Sequence, residues 1–480
     1  MRILCSISRP SRRGSTLAVT LWALVALVGL VLTLGHSVRV ETVAVGNRTA
    51  RVQADAAERG AEQWLLSVVE TEVATPGSTS QVVMEQRMIG DCAVWVLTPD
   101  PEDPAKYTYG LTDEGGKIDL NTATSDMLLL LPGITQEVVD SITDWRDADS
   151  IVTGQGGEDE YYLNVGSHPQ IPEAYGTKNS NFESIDELML VKGVTTDILF
   201  GVDRNRNGVI DVDENDSSGP ISSGSTLGSS TSTGRGIYPF VTAWGVMATA
   251  SAATTGLVDV NSTNTTRLQT LLQKNVSSKA ANILATTRRL RPFRNVFDWY
   301  FKVGLAQNEF STIYTQITAN PAAPVAAKTA KVNINTAAHE VLLCLPGLDD
   351  NDAQQIMAQR AQLLNTGANP ADLSWLAGFL TRAKLAGGGG TPGIGSMITG
   401  SSKVFSGDIV AVSSSGRTFR RDRVVIDGRS VPAKIIYRRD KSSAGWPLPP
   451  DIRTKLREGM GLVTPLSAPL FISQRGTARS

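Results

Sequence analysis

The segment Ser15–Gly35 reads STLAVTLWALVALVGLVLTLG and contains 21 residues without a charged side chain. As an α-helix it would be about 32 Å long, which matches a hydrocarbon core of about 30 Å. The 14 residues before it contain four arginines and no acidic residue. By the positive-inside rule, this order predicts one membrane-spanning helix with a cytoplasmic N-terminus. A cleaved secretory signal is the alternative, but its apolar region ordinarily spans only about 7–15 residues.

The same helix is predicted to continue beyond the membrane. Small and apolar residues recur there at every third or fourth position: Ala50, Ala54, Ala57, Ala61, Trp64, Leu65 and Val68. This spacing indicates an apolar stripe that must be covered by a folded domain. A continuous helix to about Val69 would be about 80 Å long.

Composition limits the class of the remaining chain. The 480 residues carry 45 Lys and Arg against 47 Asp and Glu, which argues against a globally basic nucleic-acid binder. Three histidines and the scattered Cys5, Cys92 and Cys344 are too few for a zinc cage or a disulfide framework. Whether Cys92 and Cys344 meet stays open. The sequence has no G-x-S-x-G, Walker A or HExxH motif, so we expect no enzyme.

Strand-like sequence lies at both ends of the region after the helix. Gln81–Leu97 and Lys106–Leu111 form one group, and Asp408–Val412, Arg423–Ile426 and Ala433–Tyr437 form the other. Neither group supplies enough strands for an independent sheet. We therefore predict an α+β fold in which both groups form one sheet packed on the N-terminal helix.

Three segments between these strand groups repeat one pattern. They are DLNTATSDMLLLLPG from Asp119, DVNSTNTTRLQTLLQ from Asp259 and NINTAAHEVLLCLPG from Asn333. An Asn or Asp followed by Ser or Thr caps a helix, and the leucines that follow at matched positions are expected to pack. Leu-Pro-Gly then ends the helix in the first and third copies, which predicts helix-hairpin-helix-like units. The middle copy lacks Pro-Gly and is the weakest hairpin.

Helix-hairpin-helix units often bind DNA, through a glycine-rich turn followed by Lys or Arg that holds phosphate. The turns at Pro132–Glu137 and Pro346–Asp350 carry acidic residues instead. We therefore expect these units to pack within the protein, with no nucleic acid as a partner.

The segment Asp203–Glu214, DRNRNGVIDVDE, matches the EF-hand calcium loop. The predicted calcium ligands are Asp203, Asn205, Asn207, the Val209 carbonyl, Asp211 and Glu214. With three charged ligands, binding should be weak, and a solvated acidic turn is the alternative. Asp203→Ala should then remove calcium stabilisation and barely affect the calcium-free protein.

A second acidic cluster contains Asp147, Asp149, Glu158, Asp159 and Glu160. Five carboxylates this close in sequence repel one another unless a cation or solvent screens them. A calcium site and a solvated acidic loop both remain open here.

The N-terminal region resembles the type IV pilins and the pseudopilins of type II secretion. In that family a prepilin peptidase cuts after the glycine that ends a basic leader, which corresponds to cleavage between Gly14 and Ser15. Most members carry a glutamate five residues into the mature chain, where this sequence has Val19. Its absence is typical of the minor pseudopilin found first at the tip. The phrases ITDWRDADS, GGEDEYYL, ELMLVKGV and VNINTAAHEVLLCLPG resemble that same group.

The resemblance implies a long transmembrane helix on a small pilin-like antiparallel sheet, with a large inserted all-α domain that binds calcium. The implied divisions are a leader at 1–14, the helix at 15–75, the first part of the sheet at 76–118, the insertion at 119–402, returning strands at 403–440 and a mobile Pro-rich tail at 441–480.

The implied function is a minor pseudopilin at the tip of the pseudopilus, which initiates assembly and assists export of folded proteins across the outer membrane. It would be a single-pass inner-membrane protein with most of its chain in the periplasm. Implied partners are other minor pseudopilins, the major pseudopilin, prepilin peptidase, the inner-membrane secretion platform and membrane lipid.

Two other functions are weighed against this one. A membrane-anchored DNA receptor of the competence type also joins one membrane helix to helix-hairpin-helix units, but the acidic turns oppose it. A calcium-stabilised surface adhesion protein would not need the basic leader.

Overall fold

The computed structural model describes residues 13–75, 82, 84–100, 103–163, 174–211, 214, 234–245, 256–319, 330–388 and 391–458. The leader residues 1–12, the Ser/Gly-rich stretch 215–233 and residues 459–480 lie outside the described residues.

Helix α1 extends from Arg13 to Ala74, so Gly14 and Ser15 lie within its first turn. It is the one helix among the described residues that is long and apolar enough to cross a membrane, and its most apolar window is fully exposed. The predicted stripe is confirmed, because the C-terminal half of α1 buries Ala50, Ala54, Ala57, Ala61, Leu65, Val68 and Val69.

One antiparallel sheet covers this stripe. Its strands are β1 (Arg87–Ile89), β2 (Cys92–Pro99), β3 (Tyr107–Tyr109), β4 (Thr112–Asp113), β13 (Val404–Val412), β14 (Phe419–Asp427) and β15 (Lys434–Asp440). The order is β1-β2-β13-β14-β15, with β3 beside β2 and β4 beside β13. The predicted pairing of the two chain ends is confirmed, since β2 pairs with β13. Met84–Gln86, which was expected to be strand, is not part of one.

The C-terminal segment covers the face of the sheet opposite α1. A 3₁₀ helix at Ser442–Ala444 leads to α13 at Pro450–Arg457. Leu448 and Leu456 are buried against Trp95 and its neighbours in the sheet, with Trp446 and Ile452 packed alongside. The predicted mobile tail is therefore wrong for residues 442–457, because apolar side chains spaced along this segment bury against the sheet.

Short helices occupy the chain between β4 and β13. They are α2 (Ser125–Leu129), α3 (Gln136–Arg146), α4 (Asp159–Tyr162), α5 (Thr196–Phe200), α6 (Thr266–Asn275), α7 (Ala280–Leu290), α8 (Val296–Val303), α9 (Gln307–Ile313), α10 (His339–Leu343), α11 (Asp350–Asn365) and α12 (Arg382–Ala386). Further 3₁₀ helices lie at Glu114–Gly116, Ile185–Leu190, Tyr314–Gln316, Ser374–Gly378 and Ile394–Ser396. A two-stranded antiparallel ribbon pairs β10 (Gly387–Gly388) with β11 (Thr391–Pro392).

Three short parallel strand pairs divide these helices into three units. The pairs are β5 (Ile118–Asp119) with β6 (Val241–Thr242), β7 (Val258–Asp259) with β8 (Ile317–Thr318), and β9 (Val332–Asn333) with β12 (Ile398–Thr399). Each pair joins the beginning of a unit to its end. We call these the first, middle and third units.

In each unit the side chain of one asparagine bonds to backbone groups that are distant in sequence. The Asn121 side chain accepts the N–H of Phe182 and donates to its carbonyl, at 2.7 and 3.1 Å. Asn261 repeats both bonds with Phe293, at 2.8 and 2.9 Å. The Asn335 amide donates to two carbonyls of its own unit, those of Pro370 and Gly400. The middle copy shares both asparagine bonds with the first, and its helices α6 and α7 are joined by the turn at residues 276–279.

The repeated leucines all lie in the core, as predicted. Those seven and ten residues after each asparagine are buried: Leu128, Leu131, Leu268, Leu271, Leu342 and Leu345. Cys92 is buried in the core beneath the sheet and Cys344 in the core of the helical units. Both are free thiols, so they do not pair.

Candidate metal centres

The first candidate centre lies where α3 ends. Asp147 is the residue that follows α3, and Glu158 is the residue that precedes α4. The loop between them folds back, so that one carboxylate oxygen each of Asp147, Asp149 and Glu158 lies within 4.8 Å of the other two. Three of the predicted ligands are therefore brought together.

The electrostatics of this group fit a cation. Glu158 is only 4% exposed, and both of its carboxylate oxygens are buried without a hydrogen-bond partner. Asp147 Oδ1 is in the same condition. Burial, followed by the neighbouring carboxylates, raises the pKa of Asp147 above its ordinary value. Burial also raises the pKa of Glu158. Uncompensated buried carboxylates are costly, and a divalent cation that prefers oxygen ligands would relieve that cost.

Asp144 lies close enough to this centre to add to the effect of burial in raising the pKa of Asp147 and Glu158, whereas Asp159 is not part of it. Asp144, one turn earlier on α3, is fully buried with Oδ2 unpartnered, while its Oδ1 accepts the N–H of Thr153 at 2.9 Å. Its spacing of three residues from Asp147 on a helix was the signal that could have identified it. Asp159 is not part of the group, because its carboxylate accepts the N–H of Thr177 at 2.7 Å.

Aromatic packing fixes the helices that carry the centre. Trp145 on α3 meets Tyr162 on α4 edge to face, with ring centroids 5.3 Å apart. The Tyr162 hydroxyl accepts the N–H of Lys192, and the Lys192 ammonium donates to the carbonyls of Gln155 and Gly156. The loop that carries Glu158 is thus held on both sides.

The second candidate centre is the acidic loop Asp203–Glu214. Gly208 has φ of +98°, which provides the sharp turn that the EF-hand pattern requires. The Asp203 carboxylate accepts the N–H of Asn207 at 3.0 Å and of Gly208 at 2.8 Å. Ile210 is buried and donates its N–H to the Pro104 carbonyl at 2.8 Å, so it anchors the loop as its apolar character predicts.

The carboxylates of this loop are satisfied by the loop itself. The side-chain amides of Asn205 and Asn207 donate to the same oxygen of Asp211, at 2.7 and 2.8 Å. The Glu214 carboxylate accepts the N–H groups of Asn205 and Asp211 at 3.0 and 3.2 Å. Val209 is buried, and its N–H donates to Asn207 Oδ1. The group of Asp147, Asp149 and Glu158 therefore fits a cation better than the loop does in this conformation, because Asp147 and Glu158 have unpartnered buried oxygens.

Comparison with known proteins identifies the class. Residues 116–202 and residues 332–389 each match a family model described as protein K of the type II secretion system. These ranges correspond to about two thirds of the first unit and to most of the third. Through these two segments the chain is similar to the minor pseudopilins of type II secretion. Within that class, both matches are to protein K.

One solved structure is also similar, the crystal structure of the GspK-GspI-GspJ complex from the type 2 secretion system of enterotoxigenic Escherichia coli. The identity is 13% and the TM-score 0.36, over 82% of this chain and 98% of that chain. This TM-score is too low to establish a shared fold. No curated protein matches the chain.

Proposed function

We propose that this chain acts at the tip of the type II secretion pseudopilus, where it initiates assembly and assists export of folded proteins across the outer membrane. The two matches to protein K family models carry this proposal. Val19 supports it, because this exposed position of α1 holds no carboxylate that could pair with the terminal amine of a preceding subunit.

The proposed maturation is cleavage between Gly14 and Ser15 by prepilin peptidase. The mature protein would then be held in the inner membrane by α1, with its sheet and helical units in the periplasm. Its proposed partners are the other minor pseudopilins, the major pseudopilin, the inner-membrane secretion platform and the surrounding lipid. Four arginines before the apolar segment support this orientation.

Calcium is the proposed cofactor. Asp147, Asp149 and Glu158 would hold it, with Asp144 beside them, and the loop Asp203–Glu214 is a second and weaker candidate. Bound calcium would neutralise the carboxylates at the end of α3 and hold α3 and α4 together. The unpartnered oxygens of Glu158 and Asp147 carry this proposal.

The experiment is complementation of a host strain that lacks this chain. Wild type should restore export of folded proteins to the medium, and its membrane form should begin at Ser15. Gly14→Ala should block cleavage and export. Gly29→Ala is the matched control, because a methyl group there meets nothing within 4 Å. Export restored by an uncleaved Gly14→Ala variant, or a mature form that begins at another residue, would contradict the proposal. DNA uptake that depends on the chain, without export, would favour the competence receptor.

A further inference from the structure

The middle unit differs from its two neighbours in charge. Residues 257–318 contain eight Lys or Arg and three Asp or Glu. Residues 118–201, in the first unit, contain three basic and fifteen acidic residues. The third unit, residues 332–399, contains three basic and five acidic residues. The middle unit also lies between the two ranges that match the protein K models. A basic unit is thus set into an otherwise acidic helical region.

Five of these cations gather at one end of the middle unit. Helices α6 and α7 form a hairpin, so the beginning of α6 lies beside the end of α7. The Arg288 guanidinium donates to the hydroxyl of Thr265 at 2.7 Å, and Arg291 donates to the Ser262 carbonyl. Arg267 follows Thr265 by two residues. We call this set the arginine cluster: Arg267, Arg288, Arg289, Arg291 and Arg294.

Two members of the arginine cluster, Arg289 and Arg294, form no ion pair among the described residues. Arg291 and Arg288 hold the turn before α6, much as Arg146 and Arg360 bind turn carbonyls in the first and third units. The side chains of Arg289 and Arg294 are exposed.

Acidic residues are sparse around the cluster in the sequence. No Asp or Glu occurs between Asp259 and Asp298 in the sequence. The Asp259 carboxylate accepts the N–H of Asn261 at 2.9 Å, and buried Asp298 pairs with Lys302 at 2.9 Å. The exposed guanidinium groups therefore present uncompensated positive charge to solvent.

The geometry of α1 disfavours lipid headgroups as the ligand. The first residue of α1 that is buried beneath the sheet is Ala50, 15 residues after Gly35, or about 22 Å along the helix. Strand β14 runs along α1 from Arg420, beside Asp55, toward Gly428, beside Val73. The helical units join the sheet at β4 and the beginning of β13, which lies at the end far from the membrane.

DNA is also disfavoured, for two reasons. The hairpin turn of the middle unit, Val276-Ser277-Ser278-Lys279, has no glycine to bring backbone amides close to phosphate, and its Lys279 pairs with Glu309. The acidic first and third units would repel a long polyanion. A compact acidic protein surface needs no glycine-rich turn and does not have to extend over the acidic first and third units.

We propose that the arginine cluster is a docking surface for a carboxylate-rich surface of another protein. Guanidinium groups bind carboxylates in a planar, two-pronged geometry, and exposed charges of this kind set partner choice and association rate. The proposal is independent of the assigned role at the tip, because it rests only on the charge and geometry of the middle unit.

The test uses the full-length chain in neutral detergent, with short oligomers of poly-L-glutamate as the probe so that they need not extend past the middle unit. Wild type should bind it more tightly at low than at physiological salt. Reversing two charges, in Arg289→Glu with Arg294→Glu, should weaken binding about tenfold or more. The control is Arg382→Glu with Arg417→Glu, two exposed arginines outside the cluster, which should change binding by less than about twofold.

Thermal unfolding of both double variants should match wild type, since all four side chains are exposed. An equal loss of binding in the control pair would overturn the proposal, because binding would then depend on the overall charge of the protein. Tighter binding of a short DNA duplex than of poly-L-glutamate, lost in the cluster variant, would assign the surface to nucleic acid instead. Cluster-dependent binding to phosphatidylglycerol vesicles, with none to poly-L-glutamate, would assign it to lipid.

Discussion

The guanidinium of Arg421 on β14 donates to the carbonyl oxygen of Asn207 in the acidic loop, at 3.0 Å. The hydroxyl of Tyr107 donates to the same oxygen at 2.9 Å, and Asp408 pairs with Arg421 at 2.6 Å. Arg421 is fully buried, so this contact ties the Asp203–Glu214 loop to the interior of the sheet. The loop is therefore fixed to the sheet through its backbone.

Tyr107→Phe should weaken the contact between the acidic loop and the sheet without removing it. The variant loses one donor to the Asn207 carbonyl, which keeps Arg421, so the free energy of unfolding should fall by about 1 kcal/mol. Arg421→Met should cost about 3 kcal/mol or more, because Asp408 stays buried without its nearest partner. Denaturant unfolding of the full-length chain measures both values. Equal losses in the two variants would show that Arg421 does not hold the loop.

Glu158→Gln should remove the calcium-dependent stability of the first candidate centre. For wild type, calcium at tenfold above its Kd should add about 1.4 kcal/mol to the free energy of unfolding. In chelator the variant should be at least as stable as wild type, because the amide no longer buries an uncompensated charge. Melting temperatures in chelator and in excess calcium provide the measurement.

Glu85→Gln is the control for that prediction, since Glu85 is exposed and lies outside the acidic cluster. It should keep the full calcium-dependent rise. A wild-type protein that shows no rise would refute a calcium site at Asp147, Asp149 and Glu158. A calcium-dependent rise in melting temperature that remains in Glu158→Gln would indicate that calcium binds the Asp203–Glu214 loop instead.

Asp203→Ala should destabilise the protein even without calcium. The sequence alone suggests that this change acts only through the bound ion, but the Asp203 carboxylate also accepts the N–H groups of Asn207 and Gly208. Loss of both bonds at a buried position should cost about 1–3 kcal/mol in chelator. Unfolding curves in chelator test this directly, and a variant identical to wild type there would contradict the observed hydrogen bonds.

Glu58 should make stability depend on pH. It is 3% exposed on α1, and burial together with Glu62 and Asp422 raises its pKa to about 8, against the lowering effect of Arg438. The folded chain then holds a proton that the unfolded chain releases above its ordinary pKa of 4.5. Stability from this group is therefore present at low pH and falls by up to about 1.4 kcal/mol per pH unit as pH rises toward 8.

Glu58→Gln should remove that slope, because the amide does not titrate. The measurement is the free energy of unfolding at a series of pH values between 5 and 9, on a full-length chain in detergent. The exposed Glu85→Gln should retain the wild-type slope. A slope that is unchanged in Glu58→Gln would place the titration elsewhere.

Leu456→Ala should destabilise the sheet, although residue 456 lies in the segment expected to be a mobile tail. Leu456 is 7% exposed and packs on the face opposite α1, so its truncation should cost about 2–4 kcal/mol. Arg457→Ala, at the exposed neighbouring position, should stay within about 0.5 kcal/mol of wild type. Equal effects of the two substitutions would mean that α13 does not contribute to the core.

The sequence by itself determined the helices whose residues interact with near neighbours in the chain. The apolar run from Ser15, the small residues from Ala50 and the repeated Asn-then-Leu pattern each specify helix and burial through the spacing of a few neighbouring residues. The two acidic segments were likewise visible, because their carboxylates are close in sequence.

Tertiary structure decided what depends on residues far apart in the chain. The carboxylates of Asp147, Asp149 and Glu158 come together, whereas that of Asp159 accepts a backbone N–H eighteen residues away. The loop Asp203–Glu214 meets Arg421 across more than two hundred positions, and α13 finds the open face of the sheet. Such contacts depend on which surfaces the rest of the folded chain leaves exposed. Burial and hydrogen bonding stabilise any residue that fits such a surface, so a short sequence pattern does not specify the partner.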